Sequence, residues 1–337
     1  MFNKNLYNIP YHKADISRAK FLVTGGAGFI GSNLVEYLLK YGAGHVRVLD
    51  NLSNGYMENI EAFLSFPNFE FMEGDICDLH TCHRAVEGMD FISHQAALGS
   101  VPRSIKAPIT TNQVNISGFL NMLVAAKESP SCKRLVYAAS SSTYGDSAAL
   151  PKVEGQEGKP LSPYAVTKAV NEYYADVFSR VYGFNTIGLR YFNVFGPKQN
   201  PNNPYAAVIP IFCKHFIDGT TPQINGDGET SRDFTFIENV VQANIKSLFF
   251  EGLNKHEVFN VACGDQISLN EIIKVLNDIS GLCIIPNYGP ERVGDVKHSK
   301  ASIEKIKQLI GYEPTVKFRA GLQIVFDWYN QINAQIK

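Results

Sequence analysis

The run Thr24-Gly25-Gly26-Ala27-Gly28-Phe29-Ile30-Gly31 decides how this chain is read. It follows an apolar stretch, Lys20–Thr24, and opens an amphipathic one, Phe29–Leu39. Strand, glycine turn and helix in that order are the entry to a parallel βαβ unit. Gly25, Gly28 and Gly31 are spaced three apart. Side chains there would block a tight turn and the close approach of a pyrophosphate to the helix N-terminus, where free N–H groups and a positive dipole end lie.

The next strand, His45–Leu49, runs into Asp50, about 20 residues beyond the glycines as a dinucleotide site requires. A carboxylate there binds both ribose hydroxyls and repels a 2′-phosphate. No basic residue follows in Asn51-Leu52-Ser53-Asn54-Gly55. NAD is therefore expected rather than NADP, with Phe29, Ile30, Asn51, Ser53, Asn54 and Gly55 among its contacts. Asp75 and Ile76, after the third strand, are expected near the adenine. Gln95 and Ala97, after the fourth, are expected near the pyrophosphate.

Outward from this unit, Phe69–Met72, Met89–Ser93, Arg134–Ala138 and Asn185–Tyr191 read as further strands. Thr111–Lys127 and Pro163–Tyr182 read as helices. The alternation predicts an α/β fold with a doubly wound, Rossmann-type parallel sheet over residues 19–193. Past Asn193 proline and glycine become frequent, and residues 194–337 are expected to form mainly a smaller mixed α/β substrate-binding lobe, with some strands and helices returning to the sheet. Residues 1–18 are expected to be a surface extension.

Composition narrows the class. The 337 residues carry a formal charge of −1 and 45% hydrophobic side chains, so neither nucleic acid nor an anionic membrane is a favoured partner. There is no apolar run of spanning length and no secretory h-region, which makes a cytoplasmic protein the expectation. The six cysteines show no metal-binding spacing. No metal is expected, and the thiols are expected to be reduced and mostly buried.

Ser162-Pro163-Tyr164-Ala165-Val166-Thr167-Lys168 carries the chemistry. Ser162 suits an N-cap and Pro163 the first helical position, which puts Tyr164 and Lys168 at i and i+4 on one face. A phenol with a pKa near 10 is a poor base at neutral pH. A neighbouring ammonium favours its phenolate, which can then take a hydroxyl proton while hydride leaves the same carbon. Ser140, Ser141 and Ser142 end the preceding strand, on the sheet edge where ligands bind.

Together the glycine run, the serine triplet through Asp146 and the Tyr164–Lys168 pair resemble the extended short-chain dehydrogenase/reductase family, and within it the UDP-hexose 4-epimerases. The resemblance spans about Lys20 to Trp328. It implies Tyr164 as acid/base and Lys168 as the group that lowers its pKa and holds the nicotinamide ribose. Counting back from Tyr144-Gly145 puts the catalytic hydroxyl on Ser140, with Ser141 and Ser142 as alternatives. Related dehydratases carry Asp-Glu just after that hydroxyl and related decarboxylases a Glu. Here Ser141-Ser142-Thr143 offers no carboxylate, which leaves epimerisation.

The same resemblance implies Asn193 and Arg232 on the diphosphate, Val194 near the nicotinamide, Arg292 and Asp295 as second phosphate and ribose contacts, and Val208 and Asn225 as further substrate contacts. Two arginines suit a diphosphate because guanidinium forks match its oxygens. Gly99 and Ser100 fall in the loop facing the sugar. At Ser299 a small side chain stands where a bulky aromatic excludes an N-acetyl group. With Val101–Ser104 and the N-terminal extension, this favours UDP-N-acetylglucosamine over UDP-glucose or UDP-glucuronate. The family commonly forms homodimers, here implied through Thr111–Lys127 and Pro163–Tyr182. A non-catalytic NAD-binding redox sensor is the alternative of another class. Such proteins lack Tyr or Lys, and both are present.

Overall fold

The computed structural model describes residues 3–201, 207–291 and 297–336. Seven strands form the central sheet: β1 (Lys20–Thr24), β2 (His45–Asp50), β3 (Phe69–Glu73), β4 (Phe91–His94), β5 (Arg134–Ser140), β6 (Thr186–Tyr191) and β7 (Glu257–Val261). Their order is β7-β6-β5-β4-β1-β2-β3, and all six pairings are parallel. The inner strands are mostly buried because helices cover both faces of the sheet. The order reverses between β1 and β4, and the carboxyl edge of such a sheet opens into a crevice at that point.

On one face pack α1 (Phe29–Lys40) and a helix from the second half, Ile237–Leu248, which is buried at every position but Lys246. On the other face pack α2 (Leu79–Val86), α3 (Phe119–Glu128) and α4 (Pro163–Tyr182). Helix α4 has the predicted bounds for a local reason. The Ser162 hydroxyl accepts from Ala165 N, Pro163 starts the first turn, and Gly183 ends the helix in the left-handed conformation.

The helix expected over Thr111–Lys127 starts earlier, at Pro108, and runs without a break through Pro108–Asn112, a π turn over Gln113–Gly118 and α3, with a separate short helix, Val101–Lys106, before it. The structure departs from the sequence reading in two places. The supposed surface extension is not one. Leu6, Tyr7 and Ile16 are buried and Tyr11 nearly so, packed into the core beside α1. Of the six thiols, none of them in a disulfide, only Cys82, Cys213 and Cys263 are buried, while Cys77 and Cys132 are half-buried and Cys283 is exposed.

The second half is less of a separate lobe than the alternation suggests, since β7 and the Ile237–Leu248 helix complete the sheet. What lies above the carboxyl edge is built from short strand pairs. Val194–Phe195 pairs with Thr235–Phe236, Ser231–Arg232 with Ile267–Ser268, and Gln223–Asn225 with Asn287–Gly289. Helices Val208–Ile217 and Leu269–Ser280 flank them.

Candidate active site

The crevice begins at the glycine turn. Gly25 has φ +66°, and a Cβ on it would stand 2.7 Å from Ala96 N, in the loop after β4. A Cβ on Gly31 would drive into the Gly25 carbonyl. Gly28 is the N-cap of α1 and has no side-chain capping bond, so the first-turn N–H groups face a ligand position rather than a side chain. These glycines permit two loops and a helix end to converge on a cavity of about 400 Å³.

All fourteen residues expected to touch cofactor from β1 to the loop after β4 line this cavity: Gly25, Gly28, Phe29, Ile30, Gly31, Asp50, Asn51, Ser53, Asn54, Gly55, Asp75, Ile76, Gln95 and Ala97. Gly99 and Ser100, expected on the sugar side, line it as well. Asp50 is buried. Its carboxylate accepts from Ala27 N and Leu52 N, both at 2.9 Å. Burial raises its pKa, and those two N–H groups pull it back down. A fixed carboxylate at the end of β2, a glycine cradle and an uncapped helix N-terminus suit a dinucleotide with a free ribose 2′-hydroxyl. The loop after β4 is held from below, where Ala96 N donates to Thr24 Oγ1, itself 2.8 Å from His94 Nδ1.

At the end of β5 the strand register sets Ser140 beside Tyr191 of β6. The Ser140 hydroxyl lies near enough to the Tyr164 phenol to act on its ionisation. Ser142 Oγ donates to Ser140 Oγ at 2.9 Å, and Ser142 N does so at 3.2 Å. Among the described residues Ser141 makes neither contact. The geometry thus separates the three serines, with Ser140 at the phenol and Ser142 behind it. Lys168 is buried and donates to the Ala138 carbonyl at 2.7 Å, its Nζ 6.0 Å from the Tyr164 ring centre. Burial pushes the Lys168 ammonium down to about 8, and the Glu172 carboxylate acts to raise it. Burial raises the Tyr164 phenol, while the Ser140 hydroxyl lowers it.

A second cavity, about 330 Å³, lies over the carboxyl edge. It gathers Asn193, Val194, Val208, Asn225 and Arg232, five residues expected to touch ligand from widely separated parts of the chain. Asn193 sits at φ +30°, unusual for a non-glycine residue. Its side-chain amide donates to the Asp233 carbonyl at 3.4 Å. Arg232 Nη1 donates to the Ser231 and Lys297 carbonyls at 2.9 and 3.1 Å. Ser299 lines neither cavity, but its N–H donates to the Ser231 carbonyl, next to Arg232, at 3.1 Å. Tyr164, Lys168 and the serines also line neither. Arg292 and Asp295 lie outside the described residues. Among the described residues no cluster of His, Cys, Asp or Glu is built to hold a metal.

Sequence reasoning missed several residues. Asn115, in the π turn, accepts from Leu98 N at 2.8 Å and donates to Thr167 Oγ1 at 3.1 Å. It joins the loop after β4 to the catalytic helix, and no local pattern marks it. Arg103 and Lys198 also line the dinucleotide cavity. Lys198 lies four residues past Val194 in the sequence, which was a usable signal. Asp233 is fully buried and accepts from Cys263 N, Gly264 N and Ala301 N, so it braces the loops beside Arg232.

The family model described as "Epimerase: NAD dependent epimerase/dehydratase family" matches residues 21–262. A UDP-N-acetylglucosamine 4-epimerase from Methanobrevibacter ruminantium, solved with UDP-N-acetylmuramic acid, is 37% identical with a TM-score of 0.88, covering 93% of this chain and 99% of that one. The UDP-glucose 4-epimerase of Thermotoga maritima, solved with UDP-glucose, is 34% identical with a TM-score of 0.86 and the same coverage. The UDP-glucuronic acid 4-epimerase of Bacillus cereus, solved with UDP-glucuronic acid and NAD, is 31% identical with a TM-score of 0.84, covering 93% and 99%.

Proposed function

The chain belongs to the NAD dependent epimerase/dehydratase family, and on that footing we propose that it inverts C4 of a UDP-hexose, interconverting UDP-N-acetylglucosamine and UDP-N-acetylgalactosamine. The observation that carries the reaction type is Lys168 Nζ 6.0 Å from the Tyr164 ring centre, with the Ser140 hydroxyl near the phenol and Ser141-Ser142-Thr143 where water elimination or decarboxylation needs a carboxylate. NAD held by the glycine turn and Asp50 would accept hydride from C4 and give it back, so that no net oxidation occurs.

The protein's own groups handle the proton. Tyr164 as phenolate removes it from the C4 hydroxyl, and Ser140 shares it in transit. Lys168 opposes the burial that keeps the phenol neutral, because a cation beside it favours the phenolate. The 4-keto sugar then turns about its diphosphate linkage and offers the other face. Asn193 and Arg232 hold the diphosphate during that turn, which separates grip from chemistry. Tyr164 then returns the proton to the inverted hydroxyl.

The small Ser299 side chain, in a strand-end cluster with Ser231 and Arg232, supports an N-acetylated substrate. So does the similarity to the M. ruminantium enzyme, in fold and in sequence. Comparing kcat/KM for UDP-N-acetylglucosamine, UDP-glucose and UDP-glucuronate tests this reading. The acetylated sugar is expected to lead by about tenfold or more, and a lead for either other sugar contradicts it.

The working form is proposed to be a homodimer. The outward apolar residues Ile105, Ile109, Tyr173, Val177 and Val181, on α4 and the helices before α3, support that assembly. Sedimentation of the wild-type protein against a Tyr173→Glu/Val181→Glu variant checks it, with dissociation expected only in the variant.

A further inference from the structure

The segment before β1 lies outside the stretch matched by the family model, yet it is wired to the wall of the dinucleotide cavity. The Tyr7 phenol donates to Asn33 Oδ1 at 2.8 Å, and the Asn33 amide donates onward to the Pro197 carbonyl at 3.2 Å. In parallel, Asn3 N donates to Glu36 Oε1 at 2.6 Å, and Glu36 Oε2 pairs with Lys198 Nζ at 2.9 Å. Asn33 and Glu36 are i and i+3 on one face of α1, so two links leave one segment and end on two consecutive residues.

Lys198 needs such restraint. It holds φ +72°, a conformation that L side chains adopt at a cost. Its ammonium is drawn inward, toward the Ser32 and Asn59 carbonyls at 3.4 and 3.3 Å and over the Phe63 ring at 5.2 Å. Lys198 and Gln199 both line the cavity that the glycine turn opens. Glu36, 3% exposed, is the carboxylate that pairs with the Lys198 ammonium, at a shorter distance than either carbonyl.

We infer that the N-terminal segment is a positioning element for the cofactor: by fixing Pro197–Gln199 through Asn33 and Glu36, it slows the release of NAD. A wall already fixed in its bound shape loses less freedom when ligand arrives. Tyr7 and Glu36 touch no part of the cavity, so they act through Pro197 and Lys198. The inference rests on the family's cofactor and not on the identity of the sugar.

The test uses the full chain loaded with NADH and follows fluorescence as NAD displaces it. Tyr7→Phe/Glu36→Gln cuts both links and keeps the packing. Tyr11→Phe is the comparison, because it removes a bond from the same segment to Glu238 Oε1 (2.5 Å), on a different helix, and leaves both links to Pro197 and Lys198 in place. Melting temperatures are recorded for both. The double variant is expected to release NADH several-fold to about tenfold faster, and Tyr11→Phe at the wild-type rate despite its lower melting temperature. Should the double variant not fold, Tyr7→Phe alone carries the same comparison with a smaller change. Equal release in all proteins, or equal acceleration by Tyr11→Phe, overturns the inference. Wild-type protein that takes up no NADH contradicts the family-based cofactor assignment instead.

Discussion

Arg190 on β6 binds both carboxylate oxygens of Glu172 on α4, with Nε at 2.9 Å and Nη2 at 2.6 Å. Glu172 lies one helical turn beyond Lys168, on the same face of the helix. Arg190 also contacts Glu157 and lies 4.8 Å from the ring centre of Tyr144, just past the serine triplet. The carboxylate nearest Lys168 in sequence is thereby committed elsewhere, and the Lys168 ammonium is left to the Ala138 carbonyl and the active site.

That arrangement sets a pH dependence. Burial pushes Lys168 down to about 8, and the Glu172 charge raises it. Removing that charge in Glu172→Gln lowers it further, so Lys168 loses its proton at lower pH. The alkaline limb of kcat is expected to move toward neutrality in this variant, by about one pH unit. A limb that stays in place, or moves to higher pH, contradicts the coupling.

The three serines are expected to differ. Ser140→Ala removes the hydroxyl nearest the Tyr164 phenol among the three serines and is expected to lower kcat by about 10²-fold or more. Ser142→Ala removes a donor to Ser140 and is expected to cost several-fold, about what one hydrogen bond is worth. Ser141→Ala is expected to stay near wild type. Steady-state kinetics on the three variants check the order.

How much of this was legible in the sequence depends on the range of the interaction. The glycine turn, Asp50 and the Tyr164–Lys168 pair were readable because each is fixed by local geometry: a turn, a strand end, one helix face. The parallel sheet followed from alternation. Tyr7 and Tyr11 looked like a surface tail because their partners, Asn33 and Glu238, are 26 and 227 residues away. The Thr111–Lys127 helix was legible from its apolar spacing, but the π turn inside it was not, and Asn115 gains its role only in that turn. The return of β7 to the sheet edge was hard to place for the same reason, since its register with β6 is settled by long-range pairing.

Asp50 is expected to govern the choice of dinucleotide. Asp50→Ala removes a buried carboxylate that lines the dinucleotide cavity, where it is proposed to meet the ribose and repel a 2′-phosphate. NAD affinity is expected to fall about tenfold and the preference over NADP to shrink. Fluorescence titrations with NADH and NADPH check both.

Asp233 is expected to be structural. Its carboxylate accepts three backbone N–H groups, and an asparagine must turn an NH₂ toward at least one of them. Asp233→Asn is expected to cost about 1–3 kcal/mol of stability, read as a lower denaturation midpoint with cofactor affinity retained. An unchanged midpoint contradicts that role.

The most direct test of hydride transfer at C4 is proton NMR of the protein incubated with UDP-N-acetylglucosamine and NAD in D₂O. UDP-N-acetylgalactosamine is expected to accumulate with protium kept at C4 and no net NADH, and Tyr164→Phe is expected to make none. Deuterium at the inverted carbon, or no inverted product from any UDP-hexose, contradicts the account.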